Sequence, residues 1–81
     1  MLIEVLVTLK KDVLDAQGRQ VKNALQTLGF NEVNDCRIGK IILLDLNEDN
    51  WEKARQRARE MGEKLLANTV IEDFVVRRHE K

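Results

Sequence analysis

The order of hydrophobic patterns along this sequence is the feature that most constrains its fold. Strand-like and helix-like segments alternate in the same order in both halves of the chain. Leu2 to Leu9 alternates its apolar residues as a strand does, and Val21 to Leu28 carries one apolar stripe at helical spacing. Val33 to Ile38 is predicted to be a second strand. Matching segments of the two halves are offset by roughly 38 residues, as in a duplicated βαβ unit. The pattern therefore favours a split-βαβ, ferredoxin-like domain.

The second half of the chain supplies three more predicted elements and a charged tail. These are a third strand, a helix, a fourth strand and the tail: Ile41–Leu46, Trp51 to about Ala67, Val70–Val76 and Arg77–Lys81. We expect residues 1–81 to form one α+β domain, βαββαβ, with an antiparallel sheet and two helices on one face. Because the third strand is apolar on both faces, we also expect the chain to form homo-oligomers through its sheet.

Local signals mark where these elements begin and end. Gly29 is placed where a helix C-terminus favours a left-handed residue, and Asn50 is the expected N-cap of the second helix. Gly39 and Lys40 are predicted to form a tight turn between the second and third strands. In the second helix, Ala54, Ala58 and Gly62 make a strip of small residues that would let another backbone approach closely.

Composition narrows the classes of partner. Fourteen basic and fourteen acidic residues balance, which argues against nucleic acid or an anionic membrane as a partner. No apolar stretch is long enough to span a bilayer. The single cysteine excludes an internal disulfide and a cysteine zinc cage, so a reducing, cytoplasmic location is expected.

The side chains able to do chemistry are few, and each has an ordinary structural explanation. His79 is expected to be a solvated residue of the tail, and Cys36 a small buried residue of the second strand. Asp45, Glu48 and Asp49 could bind a divalent metal through oxygen atoms, but a helix-capping loop is the favoured interpretation. We therefore predict no catalytic, cofactor-binding or metal-binding residue in this chain.

Two basic segments could bind a phosphate or a partner's carboxylate, namely Lys10-Lys11 and the stretch Arg37 to Lys40. Neither has the spacing of a P-loop. The topology is shared with RNA-recognition modules, yet the second and third strands have no aromatic residue on which bases could stack. It is also shared with acylphosphatase-like enzymes, but the segment after the first strand has no glycine. A homo-oligomeric, small-molecule-binding regulatory domain of a metabolic enzyme stays open as the alternative function.

Several segments, in order along nearly the whole chain, resemble one family. They are Val5 to Lys10, Val13 to Gly18, Ala24 to Phe30, Arg37 to Lys40 and Glu63 to Phe74. The family is the small third subunit, PurS, of bacterial and archaeal phosphoribosylformylglycinamidine synthase. Ala16 and Thr69 stand where the family usually has proline, so both turns should be softer while the architecture is kept.

The resemblance implies a subunit of an ATP- and glutamine-dependent carbon–nitrogen ligase of purine biosynthesis. In such systems a glutaminase subunit releases ammonia. A large synthetase subunit, which holds ATP and magnesium, uses the ammonia to convert formylglycinamide ribonucleotide to formylglycinamidine ribonucleotide. The small subunit resembles the connector between the two. Its expected partners are itself, as a dimer or tetramer, and the two larger subunits.

The positions that match the family's loop and turn motifs provide candidate partner contacts. We expect them to lie exposed at loop tips, where they would meet the other subunits. The candidate set is Lys10, Lys11, Asp15, Gln17, Gly18, Arg37, Gly39 and Lys40.

Overall fold

A computed structural model describes residues 1–79 of the chain. Its elements, in order, are β1, α1, β2, α2, a π-helical turn and β3. Their bounds are Leu2–Leu9, Ala16–Thr27, Gly39–Asp45, Trp51–Met61, Gly62–Leu66 and Glu72–Arg78. The α+β, ferredoxin-like class is confirmed, with three strands in the described part of the chain where the sequence predicts four.

The three strands form one antiparallel sheet in the order β2-β1-β3. Alternation along β1 gives this sheet two unlike faces. Ile3, Val5 and Val7 are at most 1% exposed and point to the inner face, where the core lies. The residues between them point to the outer face, which no helix covers. The central strand therefore supplies the core of the domain.

α2 covers the inner face because its small residues allow a close approach. Ala54 and Ala58 are fully buried against Ile3, and Trp51 packs against this cluster. A Cβ atom built on Gly62 would lie 2.5 Å from the ring of Phe74. The strip of small residues thus permits the close approach that the sequence predicts, and the segment that approaches is this chain's own sheet.

The helix ends follow the local signals. The Asn50 side chain accepts a hydrogen bond from the amide of Lys53, which confirms it as the N-cap of α2. α1 ends in a Schellman motif, in which the amide of Phe30 donates to the carbonyl of Leu25. Gly29 has φ of +103°, a conformation that favours glycine.

The predicted second strand and the turn after it are wrong. Residues 33–38 form no strand, and Gly39 and Lys40 already belong to β2, opposite Thr8 and Val7 of β1. A Cβ atom on Gly39 would lie 2.5 Å from the carbonyl oxygen of Val7, so this glycine permits close strand contact and has no positive φ. The chain therefore enters β2 without reversing direction.

α1 lies apart from the sheet. α2 packs on β1 and β3, whereas α1 makes no comparable contact with any strand, and Gly18 is its one buried residue. The radius of gyration is 15.7 Å, against about 12 Å expected for a compact domain of this length. The described chain is accordingly a flat body with an extended arm.

Candidate assembly surfaces

The base of α1 is joined to the segment before β2 by one carboxylate. Asp15, which is 7% exposed, accepts hydrogen bonds from the amide of Gly18 at 2.8 Å and from the amide of Ile38 at 2.7 Å. These two bonds, the one from Ile38 first, hold the pKa of the Asp15 carboxyl below its ordinary value. Gly18 must be glycine here, because a Cβ atom would lie 2.2 Å from the carbonyl oxygen of Cys36. Asp15 therefore fixes the direction in which α1 leaves the sheet.

Arg37 reinforces the same junction from the other side. One guanidinium nitrogen of Arg37 donates to the backbone carbonyl of Lys10 at 2.8 Å, with longer contacts of 3.3 Å to the carbonyls of Leu9 and Val13. This cation holds the loop after β1 against the segment before β2. We call Asp15, Gly18, Arg37 and Ile38 the brace.

Three of the eight candidate contact residues, Asp15, Gly18 and Arg37, belong to the brace. The expectation that all of them lie exposed at loop tips is wrong for Asp15 and Gly18, which are buried. It is also wrong in placing Gln17, Gly39 and Lys40 in loops, because Gln17 belongs to α1 and the other two to β2. Arg37 is exposed but is engaged with its own chain. The candidates with exposed or half-exposed side chains and no place in the brace are Lys10, Lys11, Gln17 and Lys40.

The outer face of the sheet carries an apolar row that crosses all three strands. Ile41 and Val75 flank Leu6 in the β-ladder, and Leu43 follows on β2. Ile41, Leu43 and Val75 are 54–58% exposed. Apolar side chains that adjoin in this way are typical of a surface that another protein covers. We use "outer row" for Leu6, Ile41, Leu43 and Val75.

A small polar cluster borders the outer row. Glu4 accepts a hydrogen bond from Arg77 at 3.3 Å and contacts the His79 Nδ1 atom at 2.9 Å. The hydrogen bond to His79 is the main cause that lowers the pKa of Glu4. Arg77 and Arg78 are exposed but belong to β3, so the prediction that the charged tail begins at Arg77 is wrong. The prediction that His79 is solvated is also wrong, because His79 is half-buried. Glu80 and Lys81 lie outside the described residues.

The other candidate sites have local explanations. Glu48 accepts hydrogen bonds from the amides of Asn50 and Asp49, which order the loop before α2. These bonds, the one from Asn50 first, lower the pKa of Glu48. Among residues 1–79 no group of three acidic, histidine or cysteine side chains is placed to hold a metal ion. Cys36 is half-buried in the segment before β2, and its predicted place on a strand is wrong.

The largest surface depressions lie at the Met1 end of the sheet and are open to solvent. One of them is lined by Met1, Leu2, Glu48, Asp49, Arg78 and His79. None of the helices in the described range has the length and apolar character needed to cross a bilayer. An exposed apolar sheet face, an extended arm and open depressions together define a class: a small α+β protein built to assemble with other chains.

Comparison with known proteins specifies the family within that class. The family model described as "PurS: Phosphoribosylformylglycinamidine (FGAM) synthase" matches residues 2–80. The chain belongs to this family. It is 47% identical over 72 residues to "Phosphoribosylformylglycinamidine synthase subunit PurS" of Bacillus subtilis (strain 168), covering 89% of this chain and 84% of that one.

Solved structures agree with the assignment along the chain. PurS of Methanocaldococcus jannaschii superposes with a TM-score of 0.86 at 39% identity, covering 99% of this chain and 96% of that one. A chain in the structure of PurLQS from Thermotoga maritima superposes with a TM-score of 0.81 at 30% identity, covering 95% and 96%. The fold is therefore the one that the family adopts.

Proposed function

We propose that this chain is a non-catalytic assembly subunit of phosphoribosylformylglycinamidine synthase in purine biosynthesis. It bridges the glutaminase subunit and the ATP-dependent synthetase subunit, so that ammonia from glutamine reaches formylglycinamide ribonucleotide. One observation carries the proposal: the family match spans residues 2–80, and the likeness extends to a chain of the PurLQS structure.

The physical case for a bridge is that ammonia is small and freely diffusing. Ammonia released into water becomes protonated and is lost as a nucleophile, so transfer between two active sites requires those sites to be held together. A subunit that binds both partners raises the effective concentration of one site at the other without chemistry of its own. ATP and magnesium then belong to the large partner, and this chain supplies no catalytic group. A cytoplasmic location remains a prediction.

Two separate surfaces support a bridging role. Lys10, Lys11, Gln17 and Lys40 provide polar contacts for one or both larger subunits. The brace holds the loop that carries Lys10 and Lys11, and it also holds the first turn of α1, which carries Gln17. The outer row provides an apolar surface for self-association, as a dimer or tetramer. Asp15, Gly18, Arg37 and Gly39 contribute by fixing this framework.

A small-molecule regulator is the less favoured function. A ligand site of that kind normally encloses most of its ligand in a concave, largely apolar pocket. The depressions at the Met1 end of the sheet and beside Met61 and Leu65 are open to solvent. Saturable binding of an amino acid or nucleotide to the isolated chain would reverse this preference.

Co-elution of the three chains tests the proposal. The glutaminase and synthetase subunits of the same organism are passed over a size-exclusion column with and without this chain, in the presence of glutamine and a non-hydrolysable ATP analogue. We expect one complex that contains all three chains only when this chain is present. A ternary mixture that separates into its components would contradict the proposal.

A charge-reversal variant tests the polar contacts within the same experiment. Lys11→Glu combined with Lys40→Glu should weaken co-elution at least tenfold in apparent affinity while the chain stays folded. Lys53→Glu combined with Lys64→Glu is the matched control, because these lysines are exposed on the outside of α2 and the turn after it. Equal loss in both variants, or in neither, would remove Lys11 and Lys40 from the contact set.

A further inference from the structure

The turn that precedes β3 carries two apolar residues with little cover from their own chain. Val70 is 80% exposed and Ile71 is 40% exposed. Turn positions are usually taken by glycine, proline, asparagine, aspartate or serine, which either suit the turn backbone or hydrogen-bond to it. Valine and isoleucine offer neither advantage. Neither turn formation nor core packing therefore accounts for this apolar pair.

Hydrogen bonds fix the shape of this turn. The Asn68 carbonyl accepts from the amide of Ile71 at 3.0 Å and from the amide of Glu72 at 2.7 Å. The Asn68 side chain accepts from the amide of Val70 at 3.2 Å, and the Asn68 amide donates to the Glu72 carboxylate at 2.7 Å. The backbone that presents the apolar pair is thus already ordered, so a partner that binds the pair does not have to order it.

The turn is joined to the loop that carries Lys10 and Lys11. The amide of Lys10 donates to the carbonyl of Ile71 at 2.9 Å, which extends the pairing of β1 with β3 beyond its last ladder position. Arg37 of the brace donates to the carbonyl of the same Lys10 at 2.8 Å. The turn and the loop therefore form one continuous surface at this end of the sheet. We use "end surface" for Lys10, Lys11, Val70 and Ile71.

The two lysines give the end surface a basic edge. Within residues 1–79 neither Lys10 nor Lys11 takes part in a salt bridge, although Asp12 follows them directly in the loop. A partner that covers the apolar pair has to supply acceptors for these ammonium groups, because a buried ammonium without an acceptor is costly. Carboxylates are the acceptors that add charge attraction to the hydrogen bond. The surface that fits is therefore an apolar pocket edged by carboxylates.

We propose that Val70 and Ile71 fill an apolar pocket, edged by carboxylates, on one of the two larger synthase subunits. This inference rests on the proposed function, which assigns Lys10 and Lys11 to contacts with those subunits, and it supplies the apolar centre of that contact. An apolar centre within a polar rim is the usual anatomy of a protein interface. A second copy of this chain fits poorly, because an isologous contact would bring the lysines of both copies together.

Affinity measured separately for each larger subunit tests the proposal. Val70→Asp puts a carboxylate where the pocket is apolar and its edge is acidic, at a turn position that accepts aspartate. Fluorescence anisotropy of the labelled full chain is followed in titrations with the purified glutaminase, with the purified synthetase and with their mixture. We expect Val70→Asp to weaken binding to one of the two subunits by about tenfold or more and to leave binding to the other unchanged.

Two further variants control for effects other than the contact itself. Leu65→Asp is the matched control, because Leu65 is a similarly exposed apolar residue, at 83%, outside the end surface. It should bind both subunits as the natural chain does. Val70→Leu keeps an apolar side chain at the turn and should retain most of the affinity. Far-ultraviolet circular dichroism should be unchanged in all three variants, since neither position belongs to the core.

Salt dependence tests the carboxylate edge of the pocket. Salt screens exposed charge pairs strongly once its concentration rises from about 0.05 M to about 0.5 M. The affinity of the natural chain for the subunit that Val70→Asp identifies should fall over this range. The affinity of a chain with Lys10→Gln and Lys11→Gln should fall less. An equal fall in both chains would contradict the acidic edge.

The outcomes separate this inference from the proposed function. Equal affinities of Val70→Asp and Leu65→Asp for both subunits would overturn the inference and leave the bridging function intact. A lower average mass of the isolated Val70→Asp chain in sedimentation equilibrium would mean that another copy covers the end surface, which would also overturn it. A natural chain that binds neither subunit nor their mixture would overturn the proposed function together with the inference.

Discussion

At the scale of single residues, whether a contact can be predicted from the sequence depends on how far along the chain the two partners lie from each other. Gly29 and Asn50 act on neighbours within a few positions, and the sequence alone indicates their capping roles correctly. Arg37 instead binds carbonyls 24 to 28 positions away, and His79 contacts Glu4 across 75 positions. No local pattern could indicate those contacts, since they form only after the sheet has brought the segments together.

The brace gives the chain a stability that depends on pH through Asp15. Because the pKa of Asp15 is lower in the folded chain than its ordinary 3.8, its contribution is complete above that value and is lost as pH falls through the folded pKa. Asp15→Asn should therefore lower the Tm by several degrees at pH 7, and the difference should shrink as pH falls below about 4. Thermal unfolding by circular dichroism between pH 7 and pH 2.5 measures both effects.

Asp12→Asn is the control for this prediction, because Asp12 is an exposed neighbour in the same loop. The pKa values of Glu4 and Glu48 are also lowered, and we expect their effect on the Tm to be the same in all three proteins because neither residue is substituted. A constant Tm difference between natural chain and Asp15→Asn from neutral to acid pH would show that the charge of Asp15 is not what holds the brace.

At the scale of elements, the alternating pattern of β1 and the stripe of α2 were enough to predict both. Leu2–Leu9 is a strand with the expected faces, and α2 begins after Asn50 as expected. Residues 33–38 are also predicted to be a strand but form none, because a strand also needs a neighbour. Periodicity indicates which face of a segment is apolar. Whether residues 33–38 pair with another strand depends instead on the direction that the brace gives to the chain before β2.

The contact between α2 and the sheet should be sensitive to one added methyl group. Gly62→Ala places a Cβ atom against the ring of Phe74, and overpacking of this kind costs about 1–3 kcal/mol. For a chain this short, the Tm should fall by about 4–8 °C for each kcal/mol. Chemical and thermal unfolding measure the loss.

A second substitution separates overpacking from a change in helix propensity. Phe74→Leu should recover part of the stability that Gly62→Ala removes, so that the double variant is more stable than the sum of the single effects implies. Additive effects on stability would mean that the cost of Gly62→Ala does not come from contact with the Phe74 ring. Glu63→Ala, at an exposed neighbouring position, serves as the control.

At the scale of the whole molecule, the chain is a thin body of 47 × 31 × 14 Å whose apolar surfaces exceed what it can bury alone. The apolar outer face of the third predicted strand, with Ile41 and Leu43, could be anticipated from its sequence. The sequence could indicate the eight polar candidate contacts but could not tell which of them are exposed. The burial of Asp15 and Gly18 depends on the brace, which forms only in the folded chain. Val75 joined the outer row only once the β-ladder fixed its register with Leu6.

The outer row should control self-association without controlling folding. Val75→Lys places a charge at the β3 end of the exposed apolar row, where covering it would require desolvation of the ammonium group. We expect the average mass in sedimentation equilibrium to fall at a given concentration, with the far-ultraviolet circular dichroism unchanged. Val70→Lys, at an 80% exposed position outside the sheet, should leave the mass unchanged. A mass unaffected by Val75→Lys would exclude the outer row from the oligomer interface.

The central claim is that this chain connects two active sites and performs no chemistry. The most direct measurement compares synthase activity with glutamine and with added ammonium as nitrogen source, in mixtures of the two larger subunits with and without this chain. We expect glutamine-dependent activity to rise at least tenfold when the chain is added, while ammonium-dependent activity of the synthetase subunit changes little. Glutamine-dependent activity that is equal in both mixtures would contradict the account, and so would an ammonium-dependent activity that requires the chain.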